Sequence, residues 1–121
     1  MNKTLKVGIA SFADYKARTL AIARGEASSA DEPKVWFQSI ESFAKVLSDR
    51  NRQLLLTIYE TQPGSVQELA ANTGRASSNV SRTLKTMERY GLVRFEQGEG
   101  KARAPRVVYS DIVLDMHLAP A

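Results

Sequence analysis

Ser78, Asn79, Ser81, Arg82, Lys85, Thr86 and Arg89 fall on one side of a helical pattern that ends at Gly91. Together they offer hydroxyls, an amide and three cations, the groups that hydrogen-bond to phosphate oxygens and to base edges. Arg82 can bond a guanine through two donors, and Asn79 can bond an adenine in the same way. Ser77, Ser78 and Ser81 are suited to hold the start of this helix on a phosphate, where free backbone N–H groups favour an anion. Arg89 sits toward the helix C-terminus, where a cation is also favoured by the helix dipole alone, and Glu88 beside it can simply solvate the surface. Further along, Lys101 and Arg103 put two cations on a hairpin.

These side chains need a frame. Val80, Leu84 and Met87 recur at i, i+4 and i+7, which gives the helix an apolar back. The pattern before it, SVQELAANTG, places Val66, Leu69 and Ala70 on one face, with Ser65 as N-cap, Glu68 three residues on and Gly74 as the stop. After Gly91, Leu92 to Glu96 alternates as a strand, Gly98 to Lys101 offers a turn, and Pro105 to Tyr109 returns as a second strand. Upstream, Asp49 can cap a helix over Arg50 to Glu60 with Leu54, Leu55 and Ile58 inward, closed by Thr61-Gln62-Pro63-Gly64. Near Ser39 another helix should begin, with Ile40, Phe43, Ala44 and Leu47 on one face.

The run SSNVSRTLKTMERYGLVRFEQGEGKARAPRVVY resembles the recognition helix, the following Gly-Leu-Val step and the wing of MarR-like winged helix-turn-helix transcriptional regulators. About 50 of the 121 residues carry the resemblance. It implies a mainly α fold with small β content (α+β), binding to double-stranded DNA, and a dimer that represses by occluding a promoter. Ser77, Ser78, Asn79, Ser81, Arg82, Lys85, Thr86, Lys101 and Arg103 would then be the DNA-binding residues. Small members of this group with extra terminal strands also resemble antitoxins, which would bind a toxin protein as well as DNA.

Charge distribution points the same way. Residues 65–110 hold eight Lys/Arg against four Asp/Glu, a net +4 equal to that of the whole chain. Residues 1–64 carry +2 and residues 111–121 carry −2. A basic centre inside a nearly neutral chain is the footprint expected for a polyanion partner.

The termini add elements that a winged helix does not require. Leu5, Val7 and Ile9 alternate with Lys6 and Gly8, predicting a strand over 3–10. Phe12, Tyr15, Thr19 and Ile22 then fall at helical spacing, with Ser11 as N-cap and Gly25 as stop, predicting a helix over 12–24. Glu26 to Pro33 reads as a linker, and Val35-Trp36-Phe37 as a short extended segment. At the far end Val108, Ile112, Leu114, Met116 and Leu118 share one parity, with Tyr109, Asp111, Asp115 and His117 on the other and Val113 the exception, the pattern of a strand with one apolar face. The expected organisation is a strand–helix extension with linker over 1–33, a winged helix-turn-helix over 34–110, and a C-terminal strand over 111–121. The terminal apolar faces must be covered by each other, by a second copy or by another protein.

Enzymatic chemistry has little to work with. There is no cysteine, and the one histidine, His117, has no neighbouring serine pattern or carboxylate cluster that would make it a base or a metal ligand. Gly98-Glu99-Gly100 lacks the context of a phosphate loop. No cofactor or metal is expected. Trp36, Phe37 and Tyr59 could line a small-molecule pocket, a weaker reading because no convergent polar groups accompany them. No apolar run reaches the length of a membrane span, so a cytoplasmic protein is expected.

Overall fold

The computed structural model describes residues 3–11, 13, 14, 16, 17, 20, 32–98 and 100–118. It is an α+β chain whose elements run in the order β1 (Thr4–Ile9), β2 (Val35–Phe37), α1 (Ile40–Val46), α2 (Asp49–Thr61), α3 (Val66–Thr73), α4 (Ser77–Arg89), β3 (Val93–Gln97), β4 (Arg103–Val107) and β5 (Asp111–Met116). They group into two compact units. One is Val46–Val108, and the other joins Met1–Lys45 to Tyr109–Ala121.

The Val46–Val108 unit is a winged helix. Its helices form because each carries one apolar stripe and marked ends. Ser48, one residue earlier than expected, caps α2 by accepting from the Asn51 amide, and Asp49 becomes the first helical residue. In α3, Ser65 Oγ accepts from the Glu68 amide while the Glu68 carboxylate reaches back to the Gly64 amide, a reciprocal cap. Gly74 ends α3 at φ 69°, a left-handed conformation that costs glycine little. Leu54 and Ile58 of α2, Leu69 and Ala70 of α3, and Val80, Leu84 and Met87 of α4 are buried together with Leu92, Val93 and Ala104 of the hairpin. Fully burying one such aliphatic side chain stabilises by roughly 1.5–3 kcal/mol.

β3 and β4 pair antiparallel, from Val93 opposite Val107 to Gln97 opposite Arg103. Arg94 faces Arg106 across this ladder, a like-charge pair that would repel. Glu96 offsets both, at 2.9 Å from Arg94 and 3.1 Å from Arg106. Arg106 also donates to the Pro63 carbonyl at 2.7 Å, which ties the base of the hairpin to the loop between α2 and α3. Gly98 lies against the Gly64 backbone so closely that a Cβ there would overlap the Gly64 carbonyl oxygen. Gly98→Ala is therefore expected to lower stability by about 1–3 kcal/mol, read as a fall in the urea midpoint, because backbone must move to admit the methyl group. An unchanged midpoint would mean that the hairpin and this loop do not need to touch.

The other unit is built on a three-stranded parallel sheet in the order β2-β1-β5. β1 is central: Val7 pairs with Val35 on one side and with Leu114 on the other. Leu5 and Val7 are buried, as is Phe37, which meets the Phe43 ring edge-on at 5.4 Å. On the opposite face the Trp36 ring crosses Gly8, where no Cβ would fit, and Lys6 pairs with Asp115 at 3.8 Å. Parallel neighbours need a crossover. Between β1 and β2 the described residues 13, 14, 16, 17 and 20 are helical, and Ser11 Oγ accepts from the Asp14 amide as a cap. The remainder of the helix expected over 12–24, and residues 26–31 of the expected linker, lie outside the described residues.

Two expectations meet a different arrangement. Val35–Phe37 was expected at the start of the winged-helix domain, yet its backbone bonds go to β1, so this segment belongs to the terminal sheet. The inward face predicted for Ile40, Phe43, Ala44 and Leu47 is not formed: α1 has no buried residue, and Ile40 and Ala44 are exposed. A seven-residue helix has only two turns with which to cover a face, and Phe43 packs edge-on against Phe37.

Candidate nucleic-acid interface

α4 carries the face singled out above. Its apolar back, Val80, Leu84 and Met87, is fully buried, which fixes the helix rotation and leaves Ser77, Ser78, Asn79, Arg82, Lys85 and Arg89 exposed. Ser81 and Thr86 are half-buried at the margins of this face. The N-cap position before Ser77 is held by Ala76, which makes no side-chain cap, so the first-turn N–H groups have no capping oxygen from that residue. No acidic residue occupies the first turn either.

The two candidate base readers touch each other. Arg82 donates to Asn79 Oδ1 at 2.6 Å, and both side chains are exposed, so the Asn79 amide N–H₂ and the other guanidinium donors of Arg82 stay available to a ligand. Arg89 reaches the Thr86 hydroxyl at 3.4 Å, and Thr86 in turn donates to the Arg82 carbonyl at 3.2 Å. Lys85 is exposed one turn along the same face.

The hairpin holds its cations in two ways. Arg94 and Arg106 are engaged by Glu96 and serve the ladder. Arg103 is exposed, with its guanidinium 4.9 Å from the centroid of the Phe95 ring, a cation–π contact that orients the charge without neutralising it. Lys101 is exposed in the turn.

One residue of the site escaped the sequence reading. Arg75 occupies the turn between α3 and α4, where it donates to Asn51 Oδ1 of α2 at 3.5 Å and to Thr83 Oγ1 of α4 at 3.4 Å. Its Nε is buried without a hydrogen-bond partner. Burial, with the Arg50 charge adding to it, lowers the Arg75 pKa below the usual arginine value. Arg75 thus ties α4 to α2 through the turn. The only signal for it in the sequence is a cation directly after the Gly74 stop, which is common in loops.

Among the described residues, no group of three or more His, Cys, Asp or Glu could hold a metal ion, and no helix is long and apolar enough to cross a membrane. Tyr59 is exposed on α2 of the winged helix, while Trp36 and Phe37 belong to the terminal sheet.

A three-residue turn between α3 and α4, the amphipathic α4 and the hairpin that follows define a winged helix-turn-helix. The chain belongs to the HVO_A0114 family, whose model matches residues 46–114, more than half of its length. No curated protein matches it. Among solved structures it is similar to one described as the predicted DNA-binding transcriptional regulator from E. coli, with 18% identity, a TM-score of 0.49, and coverage of 78% of this chain and 84% of that one.

Proposed function

We propose that the protein is a sequence-specific regulator of transcription that binds double-stranded DNA as a dimer, represses by occluding its promoter, and works in the cytoplasm. The observation that carries this reading is the exposed face of α4, where Asn79, Arg82, Lys85 and Arg89 stand on a helix whose rotation is fixed by a buried back. A helix of this width fits the major groove, and the wing cations Lys101 and Arg103 would lie on phosphates or in the adjacent minor groove. Ser77, Ser78 and the uncapped first turn suit a phosphate, with Ser81 and Thr86 at the margin. Bonded to each other, Arg82 and Asn79 present one surface to neighbouring bases.

Binding to genomic fragments, followed by recovery of those retained, tests the reading. Inverted half-sites about 10 base pairs apart, centre to centre, or a multiple of that, are expected of a twofold dimer. Arg82→Ala should cost about 1–3 kcal/mol on the preferred site and relax its sequence choice, whereas Lys101→Ala should weaken all duplexes about equally. Equal losses on specific and random DNA would remove Arg82 from base reading, and failure to retain any duplex would end the proposal.

A second reading is favoured by the apolar residues exposed on and after β5, namely Val113, Leu114, Met116 and Leu118. On that reading the protein is an antitoxin, with the terminal sheet bound to a toxin and the winged helix on the operator of both genes. Recovery of a second polypeptide in stoichiometric amount from native cells distinguishes it from a plain regulator.

A further inference from the structure

β5 is the outer strand of the parallel sheet. Its inner edge is satisfied by β1 over all six residues from Asp111 to Met116, and no described strand pairs with its outer edge. Leu114 and Met116 are in register with buried Val7 and half-buried Ile9, yet they remain 37% and 42% exposed. The edge is six residues long, contains no proline, and has no lysine of its own to discourage pairing.

We infer that β5 pairs antiparallel with β5 of a second copy, about a twofold axis through Leu114, to make a continuous six-stranded sheet. This rests on the dimeric reading above and names the surface that would form the dimer. The register follows from overlap and charge together: an axis through Ile112 or Met116 would leave half or more of Asp111–Met116 opposite residues outside the partner's strand, which leaves the central positions. A twofold axis perpendicular to the sheet keeps each side chain on its own face, so directly opposed residues must share parity. An axis through Val113 would set Asp111 against the partner's Asp115, and one through Asp115 would set that carboxylate against its own copy, both repulsive. With the axis through Leu114, Ile112 faces the partner's Met116, Leu114 faces the partner's Leu114, and Val113 faces the partner's Asp115. Asp111 then meets the partner's His117, an imidazole that can donate to it. Leu114 and Met116 thereby gain apolar partners, and no two carboxylates oppose each other.

The chain has no cysteine, so a single one reports on the contact. Opposed Cβ atoms across such a pair lie about 4.5–5.5 Å apart, close enough for a disulfide after a small adjustment. In the full-length protein, Leu114→Cys should give a covalent dimer on mild oxidation, in clear excess over Val113→Cys. Leu114→Asp, which sets two carboxylates face to face, should raise the dimer dissociation constant at least about tenfold in sedimentation. A wild-type dimer that survives Leu114→Asp, with no cross-link through Leu114→Cys, would overturn the pairing and leave the dimeric reading intact. Preferential cross-linking through Val113→Cys would overturn the register. A wild-type chain that stays monomeric at high concentration, or that binds only another protein through β5, would overturn both.

Discussion

Raising salt from about 50 to 200 mM should weaken binding to the preferred duplex by roughly a thousand-fold or more. The size of the effect follows from the number of phosphates engaged. Arg82, Lys85, Lys101 and Arg103 are exposed on α4 and the wing, and none has a carboxylate partner among the described ion pairs. With two protomers bound, six to eight phosphates would be neutralised, and each releases condensed counterions worth a log-log slope of about 0.9. The expected total slope is therefore about −5 to −7. Arg94 and Arg106 should add little, because Glu96 already holds them. A titration at four or five salt concentrations gives the slope directly. A value near zero would mean that the basic face is solvated surface and that DNA is not the ligand.

The second large effect concerns the terminal sheet. Val7 is fully buried in the central strand, with Val35 and Leu114 in register on either side. Val7→Asp would place a carboxylate where water cannot reach and where the neighbouring residues in register are apolar. A buried unpaired charge costs several kcal/mol, a large fraction of the 5–15 kcal/mol that holds a domain together. Loss of the sheet's far-ultraviolet signal, or a fall in Tm beyond about 10 °C, is the expected outcome. Lys6→Ala is the matched control, since its 3.8 Å pair with Asp115 is about one-third exposed at both ends and such pairs contribute about 0–1 kcal/mol. If both substitutions had equal effect, burial would not be what stabilises the sheet.

The spacing of Val80, Leu84 and Met87, the Ser65–Glu68 cap and the Gly74 stop made α3 and α4 legible, because every one of these signals acts within one or two turns. Alternation likewise revealed β1 and β5 as strands. Their partnership was not legible. Leu5 and Ile112 are 107 positions apart, and a parallel pair has no hairpin turn to announce it. β2 was too short for a pattern, and its place is set by its parallel ladder with β1, in which Trp36 lies over Gly8. At the site, the exposed face of α4 followed from the helical period, but the Asn79–Arg82 bond depends on rotamers that no spacing encodes. Arg75 was missed for a related reason: its partners, Asn51 and Thr83, come from two different helices.

The pairing of β1 with β5 also sets an order of events during folding. Residues 46–108 form one contiguous compact unit, so the winged helix can form while the chain is still growing. β1 is made first yet cannot complete its sheet until residues 111–116 exist. Until then one side of an apolar strand lacks its neighbour, protected only by whatever β2 and the crossover supply. Joining strands across about a hundred residues costs loop-closure entropy, and a prefolded insert reduces that cost by shortening the free chain. The sheet is thus expected to close last, and slowed synthesis of residues 111–116 would prolong exposure of β1 to aggregation.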